Sequence, residues 1–231
     1  YGYDTSGMIA GFDRQVADSL LLGVSLGYSS TRAHMKELPD KATISSYQGA
    51  LYGIYRNGPW YVSSVAAYGY NRYDTTRGIA FGEIVRRANV AYGGHTLGGY
   101  AEAGYRIAAS PVDVIPVVSL AGSSVMRNGF QERDAGAMNL DVDAGRTSSF
   151  VGSLGVRLRK GYAVSSGSVI PEFRMRWDHE FSKNDHALEA SFAGYPTSAF
   201  TVRADRPERN SFAPGFTLTW RTKDNMDFHL T

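Results

Sequence analysis

Residues Ile170–Phe181 read Ile-Pro-Glu-Phe-Arg-Met-Arg-Trp-Asp-His-Glu-Phe. Glu172, Arg174, Arg176, Asp178 and Glu180 take every even position from 172 to 180, and all are charged. Phe173, Met175, Trp177, His179 and Phe181 take the odd positions, and all are bulky. A period of two belongs to a β-strand, whose successive side chains point to opposite faces. One face is therefore apolar and aromatic, and the other is ionic. A soluble sheet turns such an apolar face inward. A membrane barrel turns it outward to lipid and lines a wet lumen with the charges.

The same alternation recurs along the chain. Leu20, Leu22, Val24, Leu26 and Tyr28 are apolar and alternate from position 22 with Gly23, Ser25, Gly27 and Ser29, and small or polar residues likewise separate Leu154, Val156 and Leu158, and Phe216, Leu218 and Trp220. Around Tyr47–Arg56 and Tyr61–Tyr73 aromatics fall on both faces. The pattern predicts about ten strands, over 6–17, 19–32, 43–56, 59–74, 86–108, 112–128, 147–162, 168–181, 210–222 and 225–231. Short turns are expected at Ala17-Asp18, Asn57-Gly58, Ala109-Ser110-Pro111, 164–167 and Lys223-Asp224-Asn225. Long polar connections are expected at 33–42, 75–85, 129–146 and 182–209. Short turns alternating with long loops are the pattern of outer-membrane barrels, with the long loops outside. Both terminal strands then end on the long-loop side. An open ten-stranded sheet leaves two unpaired edges, which lipid does not tolerate. One further strand at each end would repair this, so the expectation is an all-β, antiparallel transmembrane β-barrel of the outer-membrane type, with about 10 of 12 strands present.

Composition agrees. The 231 residues contain no cysteine, so there is no disulfide framework or thiolate metal site. A net charge of +2 leaves no nucleic-acid footprint. No run approaches the roughly 18 apolar residues of a membrane-spanning helix, a test that barrels escape. His34, His95, His179, His186 and His229 are scattered without zinc-ligand spacing. Neither a Gly-x-Ser-x-Gly elbow nor a Gly-x-Gly-x-x-Gly turn is present. No cofactor or metal is expected.

Tyr1-Gly2-Tyr3-Asp4-Thr5-Ser6-Gly7, Ala10-Gly11-Phe12-Asp13, Ser46-Tyr47-Gln48, Gly58-Pro59-Trp60-Tyr61, Gly129-Phe130-Gln131-Glu132, Trp177-Asp178-His179-Glu180-Phe181 and Ser191-Phe192-Ala193-Gly194 follow in order. Together they resemble the β-domain of classical (type V) autotransporters, over essentially residues 1–231. The resemblance implies an outer-membrane barrel of a Gram-negative bacterium that anchors an N-terminal passenger and assists its export to the cell surface. It implies as partners the chain's own passenger segment, the barrel-assembly machinery and outer-membrane lipid, and no nucleic acid. The family's first strand, its pore helix and its final strand are expected to lie outside this sequence, leaving the domain incomplete at both ends.

On this reading Glu102, Arg106, Arg157, Arg159, Glu172, Arg174, Arg176, Asp178, Glu180 and Arg221 line the lumen, where they hydrate the channel and grip a passenger helix. Cross-strand neutralisation explains the same charges without any contact to a passenger. Phe173, Met175, Trp177, Phe181 and Trp220 face lipid or the aromatic girdles. Some family members cleave their own linker with acidic lumen residues, and Asp178 with Glu180 would be the pair. Their i, i+2 spacing arises in any charged strand face, and no linker is in the sequence, so no catalytic residue is expected. Two other function classes fit less well: a porin- or adhesin-like barrel whose loops bind a partner, and a soluble barrel burying the apolar face.

Overall fold

The computed structural model describes residues 2–34, 40–182, 187–203, 208–223 and 226–230, without the side chains of Pro196, Asp227 and His229. Its main sheet is antiparallel and built from ten staves in chain order. These are β1 (Gly2–Ala17), β2 (Leu20–His34), β3 (Lys41–Asn57), β4 (Trp60–Phe81) and β5 (Ile84–Tyr105). Two short pieces, β6 (Ile107–Ala109) and β11 (Tyr162–Val164), continue staves after a break. The remaining staves are β7 (Val112–Arg127), β10 (Gly145–Arg159), β12 (Gly167–Glu180), β15 (Asn210–Thr222) and β16 (Asp227–Leu230). The ten strands read from the sequence are all there, most within a few residues of their expected ends. The breaks divide two of them, at Arg106 and at Lys160-Gly161; at the first, the Arg106 N–H turns to the Pro59 carbonyl, 2.9 Å away.

Alternation decides which way each face points. Leu26 is 73% exposed, Leu154 56% and Phe212 75%, whereas the inward Ser119, Ser153 and Glu102 on neighbouring strands are buried. Among the described residues no large side chain is fully buried. A soluble domain of this size would have packed these apolar side chains into a core. Here the apolar face is the outer surface, which is the membrane solution to the opening question.

Aromatic rows bound this surface. Tyr28, Tyr47, Tyr70 and His95 stand side by side in register across β2 to β5. Near the short turns Trp60 packs edge-on against Tyr105 at 4.7 Å, and Trp220 stacks on Phe228 at 5.5 Å. From Trp60 to Tyr70 the strand covers about 33 Å, or about 25 Å of height at a tilt near 40°, which is the height of a membrane barrel's apolar band.

The loop side differs from expectation. Residues 75–85 are not a long connection: β4 and β5 remain paired to Phe81 and Ile84 and close through Gly82-Glu83, with Gly82 at φ 56°. This extension stays in register because Ile79 and Ala88 bury themselves against Ala135 and Met138 of the 129–146 segment. That segment and 182–209 are structured as well. They contribute β8 (Phe130–Gln131), β9 (Leu140–Val142), β13 (Ala187–Phe192) and β14 (Tyr195–Arg203) to a second sheet of order β14-β13-β9-β8. The expected 33–42 loop, the Lys223-Asp224-Asn225 turn and His186 fall partly or wholly outside the described residues.

Candidate functional site

Glu102 of β5 is the centre of the inward face, with its side chain 9% exposed. The Tyr61 hydroxyl donates to its Oε1 and the Tyr100 hydroxyl to its Oε2, each at 2.7 Å. Arg157 of β10 closes an ion pair on the same carboxylate, and its guanidinium lies 5.8 Å from the Tyr61 ring centre. Burial disfavours a carboxylate's charge, and here three donors offset that cost. The pairing also resolves a conflict. Register sets Arg157 directly beside Arg174, an unfavourable like-charge neighbour. Arg157 leans instead to Glu102 across β7, while Arg174 lies over Gly215, where an added Cβ would stand 2.3 Å from its Nε.

The other inward charges extend this lattice. Arg159 has Glu172 and Asp113 as register neighbours and reaches Asp113 at 3.9 Å. Arg176 and Asp178 sit two apart on β12 with Nε and Oδ1 2.7 Å apart. Glu180 does something else: it accepts from Ser149 Oγ, from the Phe150 N–H at 2.9 Å and from the Ser182 N–H at 2.8 Å, so it caps the end of β12. Arg106 stands at the β5–β6 break, and Arg221 is on β15, beside Ser168 in register. The expected outward set, Phe173, Met175, Trp177, Phe181 and Trp220, is between 37% and 56% exposed.

These residues do not lie on a flat wall. Ile54 and Arg56 of β3, Tyr61 of β4, Glu102 of β5, Ile115 of β7, Arg157 and Arg159 of β10 and Glu172 of β12 line one cavity of about 550 Å³. β3 and β12 are five places apart in the sheet order, so the sheet curls with its ionic face inside. The cavity opens near the short turn at Gly58-Pro59.

Tyr52, Tyr61, Tyr100 and Asp113 belong to this face and were not singled out from the sequence. For Tyr52 and Tyr61 the signal was the doubled aromatic pattern of β3 and β4; Tyr100 on β5 and Asp113 on β7 carry no such signal. The doubled pattern arises because inward tyrosines lie over glycines on the neighbouring strand. Tyr61 faces Gly104 and Tyr52 faces Gly23, and an added Cβ would come within 2.2 Å and 2.3 Å of the two rings. The Tyr52 hydroxyl then reaches Asp13 Oδ2 at 3.0 Å.

A second acidic centre lies beyond the outer aromatic row. Glu132 accepts Arg77 Nε at 3.0 Å and Nη2 at 2.6 Å, and also the Leu140 N–H at 2.8 Å. Arg77 Nη2 donates further to the Met138 carbonyl. Hydrogen bonding to Glu132 holds the Arg77 guanidinium above its ordinary range. This pair fastens the 129–146 segment to the β4–β5 extension.

Comparison with known proteins agrees with this arrangement. The β-domain of the Bordetella autotransporter BrkA superposes with a TM-score of 0.61 at 22% identity, over 94% of this chain and 84% of that one. The translocator domain of NalP from Neisseria meningitidis gives 0.66 at 13% identity, over 98% and 78%. Both likenesses speak to fold. Outer membrane protein A of Rickettsia rickettsii is 28% identical over 234 residues, covering 96% of this chain and 10% of that protein. An extracellular serine protease of Serratia marcescens is 26% identical over 83% of the chain and 18% of its own length. Esterase EstA of Pseudomonas aeruginosa is 27% identical over 80% and 29%. The chain thus spans less than a third of each of these relatives. The autotransporter β-domain model matches residues 1–231, and the protein belongs to that family, as an outer-membrane β-barrel domain that anchors a linked passenger and supports its export.

Proposed function

We propose that the ionic face around Glu102 is the inner wall along which the chain's own passenger segment travels. The observation that carries this is the cavity lined from β3 to β12. Its charged residues are Arg56, Arg106, Arg157 and Arg159 against Glu102 and Glu172, an excess of cation. A helix of about 10 Å diameter fits a lumen of about twelve strands. Its carboxylates would meet guanidinium groups held in place by tyrosines. The remaining inward charges, Arg174, Arg176, Asp178, Glu180 and Arg221 among them, keep the rest of the wall wet. A photo-crosslinker at position 159 in the full-length protein should capture the passenger segment during export, whereas one at position 173 should not. Equal capture at both positions would overturn the reading.

The outward set faces lipid on this proposal. Met175→Arg then places a charge in hydrocarbon at a cost of about 2–4 kcal/mol, whereas Arg174→Ala leaves the lipid face untouched. Membrane assembly of the Arg variant should drop sharply beside the Ala variant. We further infer a domain spanning 1–231 that is completed by one strand beside β1 and one beside β16. In support, β1 pairs only with β2 and β16 only with β15 among the described residues, and unpaired backbone in lipid costs several kcal/mol per group. Insertion of such edges calls for the barrel-assembly machinery as a partner. The barrel itself is proposed to do no chemistry: Asp178 lies in an ion pair with Arg176, and Glu180 is bound to the strand end.

A further inference from the structure

The outer surface is not uniform. Between β7, β10, β12 and the start of β15 it carries an apolar trough of about 520 Å³. Its floor is Gly152, in register with Leu120 on one side and His179 on the other. Its walls are Leu120, Val118, Leu154, Trp177 and Phe181. A Cβ on Gly152 would stand 2.8 Å from the Phe181 ring, so the glycine is what lets the trough reach the backbone.

Two polar features mark the loop-side end. His179 Nδ1 and Asn210 Oδ1 are 2.9 Å apart at the trough margin, hydrogen-bonding groups on an otherwise oily surface. Arg146 stands on the same outward face of β10, exposed, with one N–H given to Ser124 Oγ. It is six residues from Gly152, about 20 Å along the strand and about 15 Å in height once the strand tilt is included. That height matches the length of a lipid acyl chain. The trough is continuous with the membrane-facing surface, so hydrocarbon is its neighbour by location. Its loop-side position puts it in the outer leaflet, and a guanidinium one chain-length above favours a phosphorylated headgroup.

We propose that this trough is a specific site for an anionic, phosphorylated outer-leaflet lipid, with the far end of one acyl chain over Gly152, beside His179 and Asn210, and its phosphate at Arg146. This rests on the reading that the outward face meets lipid. A held lipid would cover the seam where three staves approach through a glycine, and would order Trp177 and Phe181.

The test uses the full-length protein released from outer membranes in mild detergent, supplied with purified lipid A or with phosphatidylethanolamine and examined by native mass spectrometry. Wild-type protein should retain one lipid A at activation energies that strip phosphatidylethanolamine. Filling the trough by Gly152→Leu or, leaving Phe181 undisturbed, by Leu120→Trp should lower retention roughly tenfold. Arg146→Gln should lower it a few-fold. Heat-modifiable electrophoretic mobility checks that each variant is folded. Equal retention of both lipids, or retention unchanged in both filled variants, would overturn the site. Quenching of Trp177 fluorescence by bromine-labelled acyl chains separates the two levels of failure, in variants where Trp60 and Trp220 are replaced by Phe. Quenching without retention sinks the site alone, and no quenching sinks the lipid-facing reading beneath it.

Discussion

Glu102 and Glu132 are nearly the same object in two settings. Their side chains are 9% and 7% exposed, and each pairs with an arginine, Arg157 at 29% and Arg77 at 33%. Glu102 is held by side chains alone, two tyrosine hydroxyls and a guanidinium projecting from strands whose positions the ladder already fixes. Glu132 is held in part by backbone, and it joins two segments that no ladder brings together apart from the Asn89–Arg133 bridge. The first pair decorates a wall, and the second is a latch. Removing the first should change what the wall presents more than whether it stands. Removing the second should release a piece of structure.

The sharpest separation comes from Glu132→Ala. It leaves Arg77 without its bidentate partner and Leu140 N–H without an acceptor, a loss of about 3 kcal/mol. The 129–146 segment should become open to added protease while the barrel keeps its heat-modifiable mobility. Protection equal to wild type would remove the latch from the comparison. Glu102→Ala should cost less, about 2 kcal/mol, because Arg157 and both tyrosines can turn to lumen water. Urea unfolding of lipid-reconstituted protein measures it, and a loss exceeding that at Glu132 would reverse the argument. Gly104→Ala forces the Tyr61 ring off its neighbour and so unseats one donor of Glu102, at about 1 kcal/mol in the same assay. At the bottom of the scale stands Arg72→Ala. Arg72 and Asp74 form an ion pair at 3.3 Å with side chains 61% and 48% exposed, and its removal should shift stability by less than about 0.5 kcal/mol.

The two settings also differ in how far they could be read from the chain. The wall was legible because period-two alternation reports a face without knowledge of its neighbours. Glu102, Arg157 and Glu172 could be assigned to one side of the sheet from that alone. Which of them touch was not legible, since Arg157 meets Arg174 by register and chooses Glu102 only because the sheet curls. Tyr52 and Tyr61 escaped for a related reason. An inward tyrosine looks like a broken pattern until the glycine beneath it is placed opposite. The latch was hidden more deeply. Ile79, Ala88, Ala135 and Met138 are four apolar residues spread over some sixty positions, too far apart for any period. The short pairing of Leu140–Val142 with Ala190–Phe192 joins segments about fifty residues apart. Local chemistry reported loops there, and only the tertiary contact made them sheet.

The aromatic rows carry a consequence for where the domain can reside. Trp60 and Tyr70 stand about 25 Å apart in height on one rigid stave, so the distance between the rows cannot adapt by bending. The bacterial outer membrane is thinner than average, and each ångström of mismatch costs a fraction of a kcal/mol. Multiplied around a circumference of many strands, that small cost makes the barrel a gauge of bilayer thickness. A thicker host membrane would have to thin around it or leave its tyrosines submerged, so the spacing of the rows works as a postal address written in length.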